Sequence, residues 1–235
     1  MKKHILLAAS TLAFSSLVAA DSSSLKDEVT NAANKLGSQQ NYTWRTTYVV
    51  PEDAPWKPGP VDGKVEKEGF TWFSLALFYN SMEAVAKGKQ GAVKLQDGWK
   101  SLEEIDKEEG FARFPAMIVR NLRVPAREAA ELAGFAKELK KEGEVICGEL
   151  TEQGAKTMQT FRVSEGEGPT VSDAKGSVKF WVKDGALTKY EFKLKGNISF
   201  NGNDMPNDRT TTVEIRDVGK TKIEVPEAAR KKISG

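Results

Sequence analysis

Few residues in this chain are of types that do covalent or proton-transfer chemistry, and their spacing argues against such chemistry. Carboxylates pair at Glu103-Glu104 and Glu108-Glu109, but both pairs lie in runs shared with lysines. That is the composition of a solvated face, not of two acids held across a cleft. His4 is the only histidine, and it lies in a segment that reads as removed on export. The chain then has no imidazole for activating a nucleophile, shuttling a proton or binding zinc. Cys147 is the only cysteine, which allows no internal disulfide, and between Ile146 and Gly148 it reads as a small buried hydrophobe. The expectation is a non-enzyme, with no catalytic residue, no cofactor and no metal.

What the sequence does supply is apolar surface at strand spacing. Trp44, Tyr48, Phe70, Trp72, Phe180, Phe192 and Leu194 sit in alternating runs, and Trp56 stands in a proline-rich loop. Burying one methylene contributes about 0.8 kcal/mol, so an acyl chain can be held without any polar motif. These residues are the candidate ligand-binding set for a lipid or acyl chain. The same spacing serves a plain core, and for any one of them core is the commoner outcome. Small residues at Thr46, Ser74, Ala76 and Ala84 are expected to point inward and leave space. Trp181 breaks the pattern by sharing a face with Lys179 and Lys183, whose stems can cover it.

The elements that must position these side chains are legible from periodicity. Leu25, Val29, Ala32, Ala33 and Leu36 form one helical stripe, with Ser24 and Asp27 as its expected cap and Gly37 as its end. Tyr42, Trp44, Thr46 and Tyr48 alternate as a first strand. Pro51 to Gly63 reads as a loop. From Val65 to Leu95 the pattern is β again, and the run Phe70–Phe78 is apolar on both faces, as in a strand covered on each side. Ser101-x-x-Glu104 is a capping box. Phe114, Met117, Ile118 and Leu122 then mark one helix, and Pro125 with Ala129, Leu132 and Ala133 marks another. After the strand EVICGEL, Thr151 caps a helix that buries Ala155 and Met158. The ribbon Ser177–Phe200 turns at Asp184-Gly185. A last hairpin is expected, RTTTVEI followed by KIEV, and then a short polar tail.

The start of the chain, with Lys2 and Lys3, an apolar run from Ile5 to Val18 and small residues at Val18 and Ala20, reads as a signal peptide over residues 1–20. Residues 21–235 read as a single domain with a helical insertion at about 101–139. Removing the signal leaves Lys+Arg at 35 − 2 = 33 against 33 Asp+Glu, a balance that gives no net field for nucleic acid. No later segment is apolar enough to span a bilayer. The expected location is the periplasm or the extracellular space. The expected partners are an apolar ligand or an envelope protein.

The order of these elements resembles the periplasmic lipoprotein-carrier superfamily, the LolA/LppX-type half-barrels. That group includes the carrier that moves lipoproteins to the bacterial outer membrane and the mycobacterial lipid-binding lipoproteins. The closing stretch DRTTTVEIRDVGKTKIEVPEAARKKI is similar to their final strand pair, and GKQGAVKLQDGWKSLEEI to their mid-sheet hairpin. The resemblance implies an α+β fold: a curved antiparallel sheet, an incomplete β-barrel, wrapped around helices with a hydrophobic cavity between. Two features depart from it, since the chain has no lipobox cysteine and carries the proline-rich loop 51–63. The alternative is an interaction or scaffold module with the same fold fully packed.

Overall fold

A computed structural model describes residues 13–54, 57–67, 69–77, 80–161, 163 and 168–233. Helix α1 (Ala13–Gly37) leads into β1 (Asn41–Val49), followed by β2 (Val61–Glu66), β3 (Phe70–Leu77), β4 (Asn80–Lys87), β5 (Gln90–Leu95) and β6 (Gly98–Ser101). A helical layer follows, of α2 (Leu102–Asp106), a 3-10 turn at Gly110–Arg113, α3 (Phe114–Asn121) and α4 (Pro125–Phe135). The chain returns through β7 (Lys140–Glu142), β8 (Val145–Glu149) and α5 (Glu152–Gln159). It finishes with β9 (Thr170–Lys183), β10 (Ala186–Phe200), β11 (Asn203–Arg216) and α6 (Glu227–Ile233).

The strands form one antiparallel sheet in the order β6-β5-β4-β3-β2-β1-β11-β10-β9-β8-β7. Two meanders meet where the first strand pairs with the last, through Thr46↔Val213 and Tyr48↔Thr211. The edges β6 and β7 stand at opposite ends of the order, so the sheet curves without closing. Register shifts between β9 and β10, at Leu187/Lys189 and Lys195/Asn197, add local bend and twist to the ribbon.

The concave face wraps the helices. Leu25, Val29, Ala32, Ala33 and Leu36 of α1 are all buried there, with Ala129, Leu132 and Ala133 of α4. Helix α1 lies on β9 and β10 with α5 beside it, and α4 packs chiefly against α1, so that the helix layer covers the apolar face of the ribbon. Asp184 and Gly185 both take positive φ, 51° and 69°, the left-handed pair of a tight two-residue hairpin. Ser101 and Glu104 form the reciprocal capping box of α2, and the Thr151 hydroxyl accepts from the Gly154 amide at the start of α5.

Several expectations are corrected. Ser24 and Asp27 do not cap α1, which runs unbroken from Ala13 across the expected signal junction; residues 1–12 lie outside the described residues. The loop ends at Pro60, because Val61 already pairs with Thr46 and Leu75. On α3 the fully buried residues are Ala116 and Val119, while Phe114, Met117, Ile118 and Leu122 are half-buried. KIEV forms no strand. Thr221 and Ile223 instead donate backbone N–H groups to Asn41 and Glu66, and the chain crosses the convex face into α6. The expected polar tail is thus an amphipathic helix, whose Ala229 and Ile233 pack on Phe70, Val85 and Ala92 in a second hydrophobic core.

Candidate functional site

The concave face is built in rows across the strands. One row runs Thr46, Val213, Tyr190, Phe180 and Ile146; the next runs Tyr48, Thr211, Phe192 and Val178. Arg209 faces Leu194 across β10 and β11. Within the first row Phe180 and Tyr190 have no accessible surface, and neither does Leu194. Trp44 is buried against the backbone of β2, because a Cβ at Gly63 would lie 2.1 Å from its indole.

The structure divides the sequence-derived set. Trp44, Tyr48, Phe180, Phe192 and Leu194 come together on the concave face. Phe70 and Trp72 belong to the opposite face, where Phe70 lies under α6 and Trp72 donates to Glu83 at 2.8 Å. They therefore do not share a cavity with the others. The reason is the pleat: inward Phe73 and Leu75 fix the register of β3, so residues 70, 72, 74 and 76 point outward. Ser74 and Ala76 are thus not interior spacers, whereas Thr46 and Ala84 are buried. Trp56 lies outside the described residues. Trp181 is covered from the neighbouring strand, with Lys189 Nζ 4.3 Å above its ring. Cys147 is half-buried, facing Lys140 and Lys179 across the ladder, and burial raises its thiol pKa.

Polar groups gather where sequence reasoning placed none. Helix α4 lays Glu128 over the sheet, and the Tyr190 hydroxyl donates to its Oε2 at 2.7 Å. Burial pushes the Glu128 carboxyl above its ordinary range, against the opposing pull of Tyr190, Arg123 and Arg209. Burial, reinforced by Glu128, drives the Tyr190 phenol far up. Tyr42 is pushed to about 12 by burial, partly offset by its hydrogen bond with the Ala126 backbone. The Arg209 guanidinium lies 5.5 Å from the Tyr48 ring centroid. Among the described residues, two buried side-chain atoms have no hydrogen-bond partner, Arg209 Nε and Thr211 Oγ1. A signal for these residues exists in the sequence. Stepping back by two from inward Val213 gives Thr211 and Arg209, and Glu128 falls in the α4 stripe four residues before Leu132.

A separate cleft of about 540 Å³ opens at the β7–β8 end, around Lys137, Glu138, Lys140, Glu142 and Lys179. Its rim carries both signs of charge, and it includes none of the Tyr48, Thr211 or Arg209 side chains. Among the described residues no three His, Cys, Asp or Glu side chains gather to hold a metal ion. No described helix is long and apolar enough to cross a membrane.

No family model matches the chain, and no curated protein matches it in sequence. Among solved structures, LprF from Mycobacterium bovis superposes on 88% of this chain and 98% of its own, with a TM-score of 0.50 at 11% identity. The fold is the half-barrel of LprF. Lipoprotein LppX from Mycobacterium tuberculosis gives a TM-score of 0.47 at 10% identity, covering 86% of this chain and 98% of that one. A LolA superfamily protein from Nitrosomonas europaea gives 0.33 at 7%, covering 88% and 95%. The element order read from the sequence and the observed half-barrel agree.

Proposed function

We propose that the protein is an exported, carrier-like binder of an apolar ligand, a lipid or acyl chain, taken up between the concave face and the helix layer. The observation that carries this reading is the apolar seam between the curved sheet and a separate helix layer, held by side-chain packing rather than by strand pairing. The sheet contributes Trp44, Phe73, Phe180, Tyr190, Phe192 and Leu194, and α1 and α4 bring Leu25, Val29, Leu36 and Leu132 together with Ala32, Ala33, Ala129 and Ala133. Lifting the helix layer exposes apolar surface at about 25 cal/mol per Å². A chain entering beneath it restores apolar contact at about 0.8 kcal/mol per methylene. A chain with enough methylenes offsets the cost of lifting the layer, which is what exchange between a closed and a loaded state requires. The half-barrel fold and the expected signal peptide support the same reading. No step needs a nucleophile, a general base or a cofactor.

One observation favours the second reading, a filled half-pipe that works through its surface on an envelope protein. Val29, Leu132, Tyr190 and Leu194 have no accessible surface, so no space as large as a water molecule touches them. Native mass spectrometry of protein purified from the exported fraction, repeated after organic extraction, separates the two. A stoichiometric apolar adduct lost on extraction is the expected result. A bare polypeptide mass, unchanged after incubation with lipid mixtures, selects the surface reading instead.

A further inference from the structure

The unpartnered groups on the concave face lie together. Thr211 is 3% exposed, and a buried hydroxyl without a partner costs about 1–3 kcal/mol. Arg209 follows the same face two residues along β11, about 7 Å away along the strand, with its Nε–H buried and unpaired. Its recorded contact is the face of Tyr48, and among the described residues it forms no ion pair. Charged groups nearby are otherwise committed: Glu128 accepts from Tyr190, and Arg123 contacts Glu131 and donates to the Thr157 carbonyl. The carboxylate nearest this patch, Glu128, is engaged by Tyr190 and forms no ion pair with Arg209, so the Nε edge of Arg209 has no anionic acceptor of its own. The Nε edge of a guanidinium is built to meet two oxygens at once, and a hydroxyl beside it gives a further donor.

We propose that Arg209 and Thr211 form an oxyanion subsite on the concave face, which holds the singly charged head group of an apolar ligand, a fatty-acid carboxylate or a phospholipid phosphodiester. The inference rests on the carrier reading above and specifies the ligand class. A single negative charge suits the site because one arginine supplies the attraction while Glu128 stands close by; a doubly charged phosphate monoester would meet repulsion there. Phe192 and Leu194, which face Thr211 and Arg209 across the ladder, would receive the first methylenes of the chain.

The test compares binding to the full chain of palmitate with methyl palmitate, and of phosphatidylglycerol with diacylglycerol, by native mass spectrometry and calorimetric titration. At least one charged ligand is expected to bind about ten- to hundredfold more tightly than its neutral counterpart, and the preferred pair identifies the head group. Arg209→Gln is expected to abolish that preference while leaving neutral binding in place. Thr211→Val, which keeps the side-chain shape and removes an unsatisfied hydroxyl, should reduce it about two- to tenfold and melt no lower than wild type. If Arg209→Gln does not fold, the wild-type comparison and Thr211→Val decide. Equal binding of charged and neutral ligands, or a preference that survives both substitutions, overturns the subsite and leaves the carrier reading standing. Binding of none of the four ligands overturns both.

Discussion

Gly63 and Trp44 define how closely the concave face is packed. The indole lies on the glycine backbone of the neighbouring strand, where a methyl group at Gly63 would overlap three ring atoms within 2.3 Å. Gly63→Ala is therefore expected to destabilise the fold by about 1–3 kcal/mol through overpacking, measurable as a lowered midpoint in urea with an unchanged slope. Glu128 gives a pH signature at the same scale. Its folded pKa is raised above the ordinary 4.5 by burial, so between those values the folded state holds more protons than the unfolded one. Stability from this group is present below about 4.5 and is lost as pH rises through the folded pKa. The Tyr190 hydrogen bond, then Arg123 and Arg209, oppose that loss, and Glu131 adds to it. Glu128→Gln, a neutral mimic of the protonated acid, should flatten the profile. Thermal melts of the two proteins should therefore diverge as pH increases, with the variant relatively more stable. Parallel curves would show that the carboxylate is ionised at no cost.

Helix α6 is the element whose role is least expected. Its buried side is Ala229 and Ile233 on a patch of Phe70, Val85 and Ala92, with Trp72, Trp99, Ile223 and Val225 at the margin. Arg230 and Lys87 both lie against the Phe70 ring, at 5.9 and 4.5 Å from its centroid, and Lys232 pairs with Glu104 of α2. Truncating Ile233 to alanine should cost about 2–5 kcal/mol if the cavity does not collapse. Ending the chain after Pro226 should expose Trp72 and Trp99 and shift tryptophan emission to longer wavelength. Loss of α6 without either effect would mean that the helix is only lightly docked. The edges of the sheet are protected differently. β7 is the exposed segment Lys140-Lys141-Glu142, and paired lysines on a three-residue edge discourage further strand addition.

At the scale of the whole molecule, the two faces of one sheet do different work. The convex face carries cross-strand ion pairs, Arg45–Asp62 at 2.9 Å, Lys179–Glu191 at 3.3 Å and Lys195–Asp208 at 2.8 Å. Such pairs add little stability singly. The concave face carries the helix layer, whose attachment is uneven. The inner faces of α1 and α4 are buried, α4 packing chiefly on α1, while the 3-10 turn and α3 leave Phe111 69% exposed and stacked on Phe114 at 4.9 Å. Hydrogen exchange should therefore be fastest in residues 110–122, slower in α4 and slowest in β10 and β11. Saturating the protein with the acyl ligand should protect the helix layer. Uniform slow exchange across the layer, unchanged by ligand, would favour the permanently filled half-pipe.

Local pattern alone determined β1, β3 to β5, β8, the β9–β10 ribbon and β11, the stripe of α1, the capping box at Ser101, the Thr151 cap and the Asp184-Gly185 turn, because each depends on residues within one turn or one hairpin of each other, while β2, β6 and β7 were not legible this way. Element order carried the resemblance to the half-barrels. The face of each strand was harder to read. Phe70–Phe78 is apolar on both sides, so periodicity could not say which side met the helices, and the split between Phe73 and Trp72 followed from the register of β2, β3 and β4. The destination of KIEV and the last helix was hidden as well, since short amphipathic segments fold according to the surface they find. The grouping of Glu128 from α4 with Tyr48, Tyr190, Arg209 and Thr211 joins three distant parts of the chain, the nearest to Glu128 being Tyr190, 62 positions away. Only the pairing of the first strand with the last, and the seating of α4 across that seam, places them on one face. Burial then makes them consequential: in solvent they would be ordinary polar residues, and beneath a helix layer their unmet hydrogen bonds carry a free-energy cost.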